Sequence, residues 1–137
     1  MDNIKKTLAE MINKAVELEY SARIQYLAHA EKIKGINSEP IIERLKEIAS
    51  DELKHEEIFR NLVTNYLGFD VSTKLEKICD ASGIKQILET NLKGEKDAID
   101  YYKQIYKKII ENKDSLQYEF ETLEHQIRHV IIDEQEH

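Results

Sequence analysis

The stretch from Pro40 to Gly68, PIIERLKEIASDELKHEEIFRNLVTNYLG, has a helical apolar seam that two polar residues interrupt. Steps of three and four give Ile41, Leu45, Ile48, Glu52, His55, Phe59, Leu62 and Tyr66. A glutamate and a histidine, three residues apart, therefore stand on the side the helix buries. A buried carboxylate is costly unless something compensates its charge, so the pair needs an explanation.

Working outward, the pattern predicts four helices. The first runs from about Ile4 to Lys34 and stops at KGINSEP; the second runs from Pro40 to near Gly68, with the proline in its first turn. The third runs from about Ser82 to Glu111, and after a tight NKD turn the fourth runs from Asp114 or Ser115 to the end. Short connections make helices one and two antiparallel neighbours, and likewise three and four. The link FDVSTKLEKICDAS is long enough to cross the bundle. The expected fold is all-α, a four-helix bundle with one long crossover between helices two and three, forming a single domain over residues 1–137.

Composition agrees with long helices and few turns: 34% charged residues, 7% aromatic, one proline and four glycines in 137 residues. A net charge of −7 argues against nucleic acid as a partner and suits attraction of cations. One cysteine, Cys79, excludes a disulfide framework within the chain and a cysteine-rich metal knuckle; it is expected to pack as a small residue. No apolar run approaches the roughly 18 residues of a membrane span, and MDNIKKTLAE has no apolar signal core. No membrane partner and a cytoplasmic location are expected.

Every predicted helix repeats the interruption. Helix one gives Leu8, Ile12, Ala15, Glu19, Ala22 and Tyr26; helix three gives Ile84, Leu88, Asn91, Glu95, Ala98, Tyr102, Ile105 and Ile109. Helix four gives Leu116, Phe120, Leu123, Ile127, Val130, Glu134 and His137. One Glu-x-x-His spacing arises easily by chance in so charged a chain. Two, both on apolar seams and matched by single glutamates on the other two helices, do not. Glu19 stands 15 residues before Lys34, and Glu52 and His55 stand 12 and 15 after Pro40. At about 1.5 Å rise per residue these meet at one height in an antiparallel pair. Four buried carboxylates repel unless protons or cations sit among them. Two divalent cations cancel four such charges, with carboxylate oxygens and neutral imidazole nitrogens as ligands. Iron, manganese, a mixed pair or zinc would use the same set.

At these residues the chain resembles the ferritin-like di-iron carboxylate proteins, and bacterioferritin most. The resemblance rests on Glu19 with Tyr26 in ELEYSARIQYLAHA, on DELKH, on Glu95 with Tyr102 in NLKGEKDAIDYY, and on DEQEH. It implies that Glu52 and Glu134 bridge two irons, that Glu19 and His55 complete one and Glu95 and His137 the other, and that Tyr26 lies beside them. It also implies a ferroxidase that oxidises two Fe(II) with O2 or hydrogen peroxide for iron storage or detoxification. The expected assembly is a homo-oligomer, from a dimer up to a ferritin-like shell. Bacterioferritin carries a haem-ligating methionine after its second-helix bridging glutamate. Here that residue is Leu53, so no haem is expected at that position. The family continues helix four for several turns beyond the last histidine, and a ligand on a terminal helix residue frays, so either the natural chain continues past His137 or the second iron site is weak. The alternatives are a non-storing, peroxide-scavenging enzyme of rubrerythrin type, without the cysteines of a rubredoxin-type iron domain, and a metal-free bundle whose polar seam fixes register. Oxygenation of an organic substrate is a fourth reading.

Other residues have blander expectations. Asp51 and Glu56 are read as solvated, His125 and His129 as surface, and His29 as a satisfied core or surface histidine. Asn91 is positioned to hydrogen-bond Glu95. Tyr20, Tyr101, Tyr106 and Tyr118 are read as helix cover or subunit interface.

Overall fold

The computed structural model describes residues 3–74, 78 and 81–137; Cys79 lies outside the described residues. Four long helices carry the fold: α1 (Asn3–Lys32), α2 (Glu39–Asn61), α3 (Ile84–Glu111) and α5 (Phe120–Gln135). A single turn, α4 (Lys113–Leu116), precedes α5, and no strand occurs among the described residues. No described helix is long and apolar enough to cross a membrane.

Side-chain contacts fix the directions. Tyr102 of α3 meets Glu19 of α1, and Tyr26 of α1 meets Glu95 of α3, so these helices are antiparallel. One apolar cluster joins Leu8 and Ile12 of α1 to Phe59 of α2; another joins Tyr26 and Ala30 to Leu45 and Ile48. Helices α1 and α2 are therefore antiparallel too, and α2 runs parallel to α3. Tyr106 of α3 bonds Glu124 of α5 while Glu95 contacts His137, which makes α3 and α5 antiparallel. This is the bundle with one crossover.

Both described ends of the crossover meet α1. Asn13 Nδ2 donates to the Asp70 carbonyl, Ser72 Oγ donates to Glu17, and Lys32 Nζ reaches the Ala81 carbonyl. From Asn13 to Lys32 the helix rises about 28 Å. The 11 residue steps from Asp70 to Ala81 can span about 36 Å when extended, enough for that length.

Helix ends differ from the sequence reading in three places. The α-helical part of α2 stops at Asn61 and a π-helical turn, Leu62–Tyr66, follows, leaving Tyr66 exposed. Gly68, at φ 78°, ends that turn. Helix α3 begins at Ile84 rather than Ser82, and Ile87 is buried where Ile84 and Leu88 were expected. The fourth helix is not continuous: Gln117, at φ 51° and ψ −107°, separates α4 from α5.

The core has two apolar parts. The larger draws on all four long helices, including Leu8, Phe59, Ile105 and Leu123. The smaller, with Tyr26, Leu45, Ile48 and Ile87, draws on α1, α2, α3 and Ala81 of the crossover. A layer of buried polar residues lies between them.

Candidate metal centre

The structure brings all six expected ligands together in that layer. Glu19, Glu52, His55 and Glu134 offer ligand atoms within 4.8 Å of one another, and so do Glu52, Glu95, Glu134 and His137. Glu52 and Glu134 belong to both groups. Glu19, Glu52, His55 and Glu134 are 0–2% exposed and Glu95 is 9% exposed. His137 lies just beyond the end of α5, yet its side chain is only 3% exposed.

The helices hold these side chains by exchange across the bundle. Tyr102 Oη of α3 donates to Glu19 Oε1 of α1 at 2.7 Å; Tyr26 Oη of α1 donates to Glu95 Oε1 of α3 at 2.5 Å. The same crossing recurs between α2 and α5. His55 Nε2 lies 3.1 Å from Asp133 Oδ2, and His137 Nε2 lies 3.1 Å from Asp51 Oδ2. Each aspartate directly precedes the shared glutamate of its own helix and holds the histidine of the other. An approximate twofold relation thus exchanges α1 and α2 with α3 and α5.

Each Nε2–H donating to aspartate turns Nδ1 toward the glutamates. His55 Nδ1 is 2.8 Å from Glu134 Oε1 and 3.7 Å from Glu19 Oε1. His137 Nδ1 is 3.3 Å from Glu95 Oε1, 3.4 Å from Glu52 Oε1 and 3.6 Å from Glu134 Oε2. Burial opposes a charged ring at His55, but hydrogen bonds to Glu134 and Glu19 outweigh it and lift the pKa to about 11. At His137 burial again opposes, and Glu134 and Glu95 lift it to about 10. Burial, then the charge of Glu19, holds the Glu52 carboxyl well above the ordinary carboxylate range. Burial raises Glu95 to about 7 against the lowering effect of its His137 hydrogen bond. Without a metal, protons do the neutralising.

Protons do not satisfy every atom. Glu19 Oε2, Glu52 Oε1, Glu95 Oε2 and Glu134 Oε2 are buried with no hydrogen-bond partner among the described residues. Unpaired buried oxygens are costly. Oxygens from four helices, with two imidazoles fixed by carboxylates behind them, suit a pair of divalent cations.

Several neighbours depart from the sequence reading. Asp51, taken as solvated, holds His137. Glu56 is buried, accepting from Arg60 Nε at 2.8 Å and Arg23 Nη2 at 3.4 Å. Asn91 does not bond Glu95; it accepts from Gln25 and pairs with buried His29. The roles of Asp133 and Tyr102 were missed, although the doubled Asp-Glu-x-x-His and Glu-x6-Tyr spacings carried the signal. Tyr101 caps the Met11 carbonyl of α1, while His125 and His129 are on the surface as expected.

A groove of about 330 Å3 between α1 and α3 leads to Glu52, Glu95 and Glu134 past Ser21, Ala22, Gly94 and Ala98. A Cβ at Gly94 would meet nothing within 4 Å.

The ferritin-like domain family model matches residues 9–137. A ferritin-like, di-iron-carboxylate protein from Bacillus anthracis str. Ames superposes with a TM-score of 0.91 at 23% identity, covering 100% of this chain and 94% of that one. Bacterioferritin from Rhodobacter capsulatus, solved with a metal-free dinuclear site and a haem iron, superposes with a TM-score of 0.81 at 22% identity. That match covers 96% of this chain and 79% of the bacterioferritin chain. No curated protein matches the sequence.

Proposed function

Since the chain belongs to the ferritin-like domain family, we propose that it is a bacterioferritin-like ferroxidase. It would bind two Fe(II) and oxidise them with O2 or hydrogen peroxide, for iron storage or detoxification in a cytoplasmic homo-oligomer. The carrying observation is the pair of buried ligand groups that share Glu52 and Glu134. Iron here is the substrate: two Fe(II) each give up one electron, and O2 takes both with two protons to become peroxide. Peroxide as oxidant takes the two electrons and two protons to become water.

The chain's own part is placement and proton handling. Glu52 and Glu134 would bridge the ions, Glu19 with His55 would hold one, and Glu95 with His137 the other. Asp133 and Asp51 fix the histidine tautomers so that Nδ1 lone pairs face inward. Tyr102 and Tyr26 each occupy one oxygen of Glu19 or Glu95, leaving the second for a cation. The protons now on the histidines, Glu52 and Glu95 would leave as iron enters. With Leu53 after Glu52, the chain offers no donor for haem there.

The test is stepwise anaerobic addition of Fe(II), then O2, with ferric iron followed in the near ultraviolet. A rapid phase ending at two irons per chain, as the two ligand groups require, and lost in His55→Ala, is the expected result. Oxidation no faster than in buffer would overturn the reading. Continued oxidation into a soluble core identifies storage; a halt at the first phase identifies the rubrerythrin-type alternative.

A further inference from the structure

The twofold relation in the centre breaks one turn outside it. On α2 the residue four before Asp51 is Glu47, an exposed partner of Arg44 at 3.3 Å. On α5 the residue four before Asp133 is His129, and four before that is His125. Both histidines are exposed, and their rings stack with centroids 6.5 Å apart. His129 Nε2 lies 3.5 Å from Asp133 Oδ2, and that same oxygen lies 3.1 Å from His55 Nε2. A surface cavity of about 390 Å3 between α2 and α5 is lined by His55, Glu57, Asn61, Gln126, His129 and Asp133, with Lys54 and Ile58 completing it.

The geometry points to an accessory divalent-cation site on His129 and Asp133, at the mouth of the cavity that reaches His55, which His125 joins only on turning its ring. Imidazole and carboxylate one helical turn apart present two donors to one ion. Two ligand atoms each about 2.1 Å from a tetrahedral ion stand about 3.4 Å apart, whereas an N–H···O hydrogen bond closes to about 2.7–3.2 Å. The His129–Asp133 separation matches the first. His125 Nδ1 now lies 3.2 Å from Arg128 Nη2. Joining the site needs that contact released and the ring turned, which its exposure permits. Two firm protein ligands, with water for the rest, make a site that fills and empties readily. A role in passing Fe(II) toward the centre rests on the ferroxidase reading; the cation site itself does not.

Isothermal titration of the full chain with Zn(II) tests the site, comparing wild type with His129→Ala and His129→Gln. Both variants alter an exposed side chain, and circular dichroism checks their folding. The expected result is one weaker equivalent per chain beyond those of the buried centre, lost in both variants, and weakened in His125→Ala. If the buried centre takes no metal, the weaker equivalent alone should remain and still vanish in the variants. The ferroxidase reading would then fall and this one stand. No weaker equivalent in wild type, or one unchanged in both variants, overturns the proposal. For the transfer role, the initial rate of Fe(II) oxidation at limiting iron should drop in His129→Ala and recover at saturating iron. Equal rates at both concentrations would overturn that role.

Discussion

The two halves of the centre repeat one design in unequal surroundings. Glu19 and His55 stand in the middle of α1 and α2, with the larger apolar cluster packed below them and the smaller above. Glu95 stands in the middle of α3 and meets His137, and the smaller cluster beside them is built by α1, α2, α3 and Ala81. Glu19 is fully buried; Glu95 is 9% exposed and lines the groove between α1 and α3. The same donor groups, aspartates and tyrosines thus sit in a half whose glutamate is sealed and a half whose glutamate meets a groove, here the closed and the open half, although His55 of the first lines the cavity between α2 and α5. Metal affinity depends on how firmly ligands are held, so the closed half should fill first and the open half should exchange.

The largest effect tests what the halves share. Glu52→Leu removes a ligand from both groups and should abolish binding of the metal pair. It also removes a buried carboxyl with an unpaired oxygen, whose burial costs about 1–3 kcal/mol, so the metal-free protein should gain stability. Metal titration and denaturant unfolding of the same variant check both effects. Loss of metal without gain of stability would mean that protons already compensate Glu52 fully.

Next come the histidines. His55→Ala should eliminate the rapid phase, whereas His137→Ala should leave one tight equivalent in the closed half. Equal losses in the two variants would erase the proposed difference. A finer cut is Asp51→Asn, which keeps the shape but no longer fixes the His137 tautomer. It should weaken the open half about 10–100-fold and leave the closed half nearly unchanged. Metal competition titration would show this.

The proton balance gives a pH signature. Folding raises His55 to about 11 and His137 to about 10 from an ordinary 6.5, and Glu95 to about 7 from 4.5. The folded chain therefore holds more protons than the unfolded chain, and stability falls as pH rises. The Glu95 share is lost from about pH 4.5 to 7 and the histidine share from about pH 6.5 to 11. Thermal melts without metal should fall across this window. With saturating Zn(II), which displaces the same protons, the fall should flatten or reverse. A flat metal-free profile would refute the charged histidines.

Much of this was legible from two periodicities. The seams exposed one glutamate per helix and two histidines because burying such groups is too costly to be incidental. The misreadings have local causes. At the start of α3 the steps of three and four that contain Glu95 put Ile84 and Leu88 on the buried side. There α3 packs toward α1, α2 and the crossover, so its buried line shifts to Ile87. Asp51 and Glu56 look like surface when only their own helix is considered. Beside Arg60 of its own helix, Glu56 also meets Arg23, and Asp51 meets His137; those two partners come from other helices, and one-helix periodicity does not report them. The break before α5 had no glycine or proline to announce it.

That break supplies the smallest test and bears on the comparison itself. Gln117 is exposed and holds φ 51° and ψ −107°, a conformation that suits glycine far better than a residue with a Cβ. Gln117→Gly should stabilise the protein by about 1 kcal/mol, measured by denaturant unfolding, while Gln117→Ala should not. Gln117 lies far along α5 from Glu134 and His137, so the substitution cannot alter the ligands directly. If the open half is weak because α5 is loosely seated, its metal affinity should rise with the added stability. If it is weak because Glu95 faces the groove between α1 and α3, stability should rise and affinity should stay where it was. The burial of His137 among Asp51, Glu52 and Glu95 favours the second outcome, since the end of α5 is already held by α2 and α3.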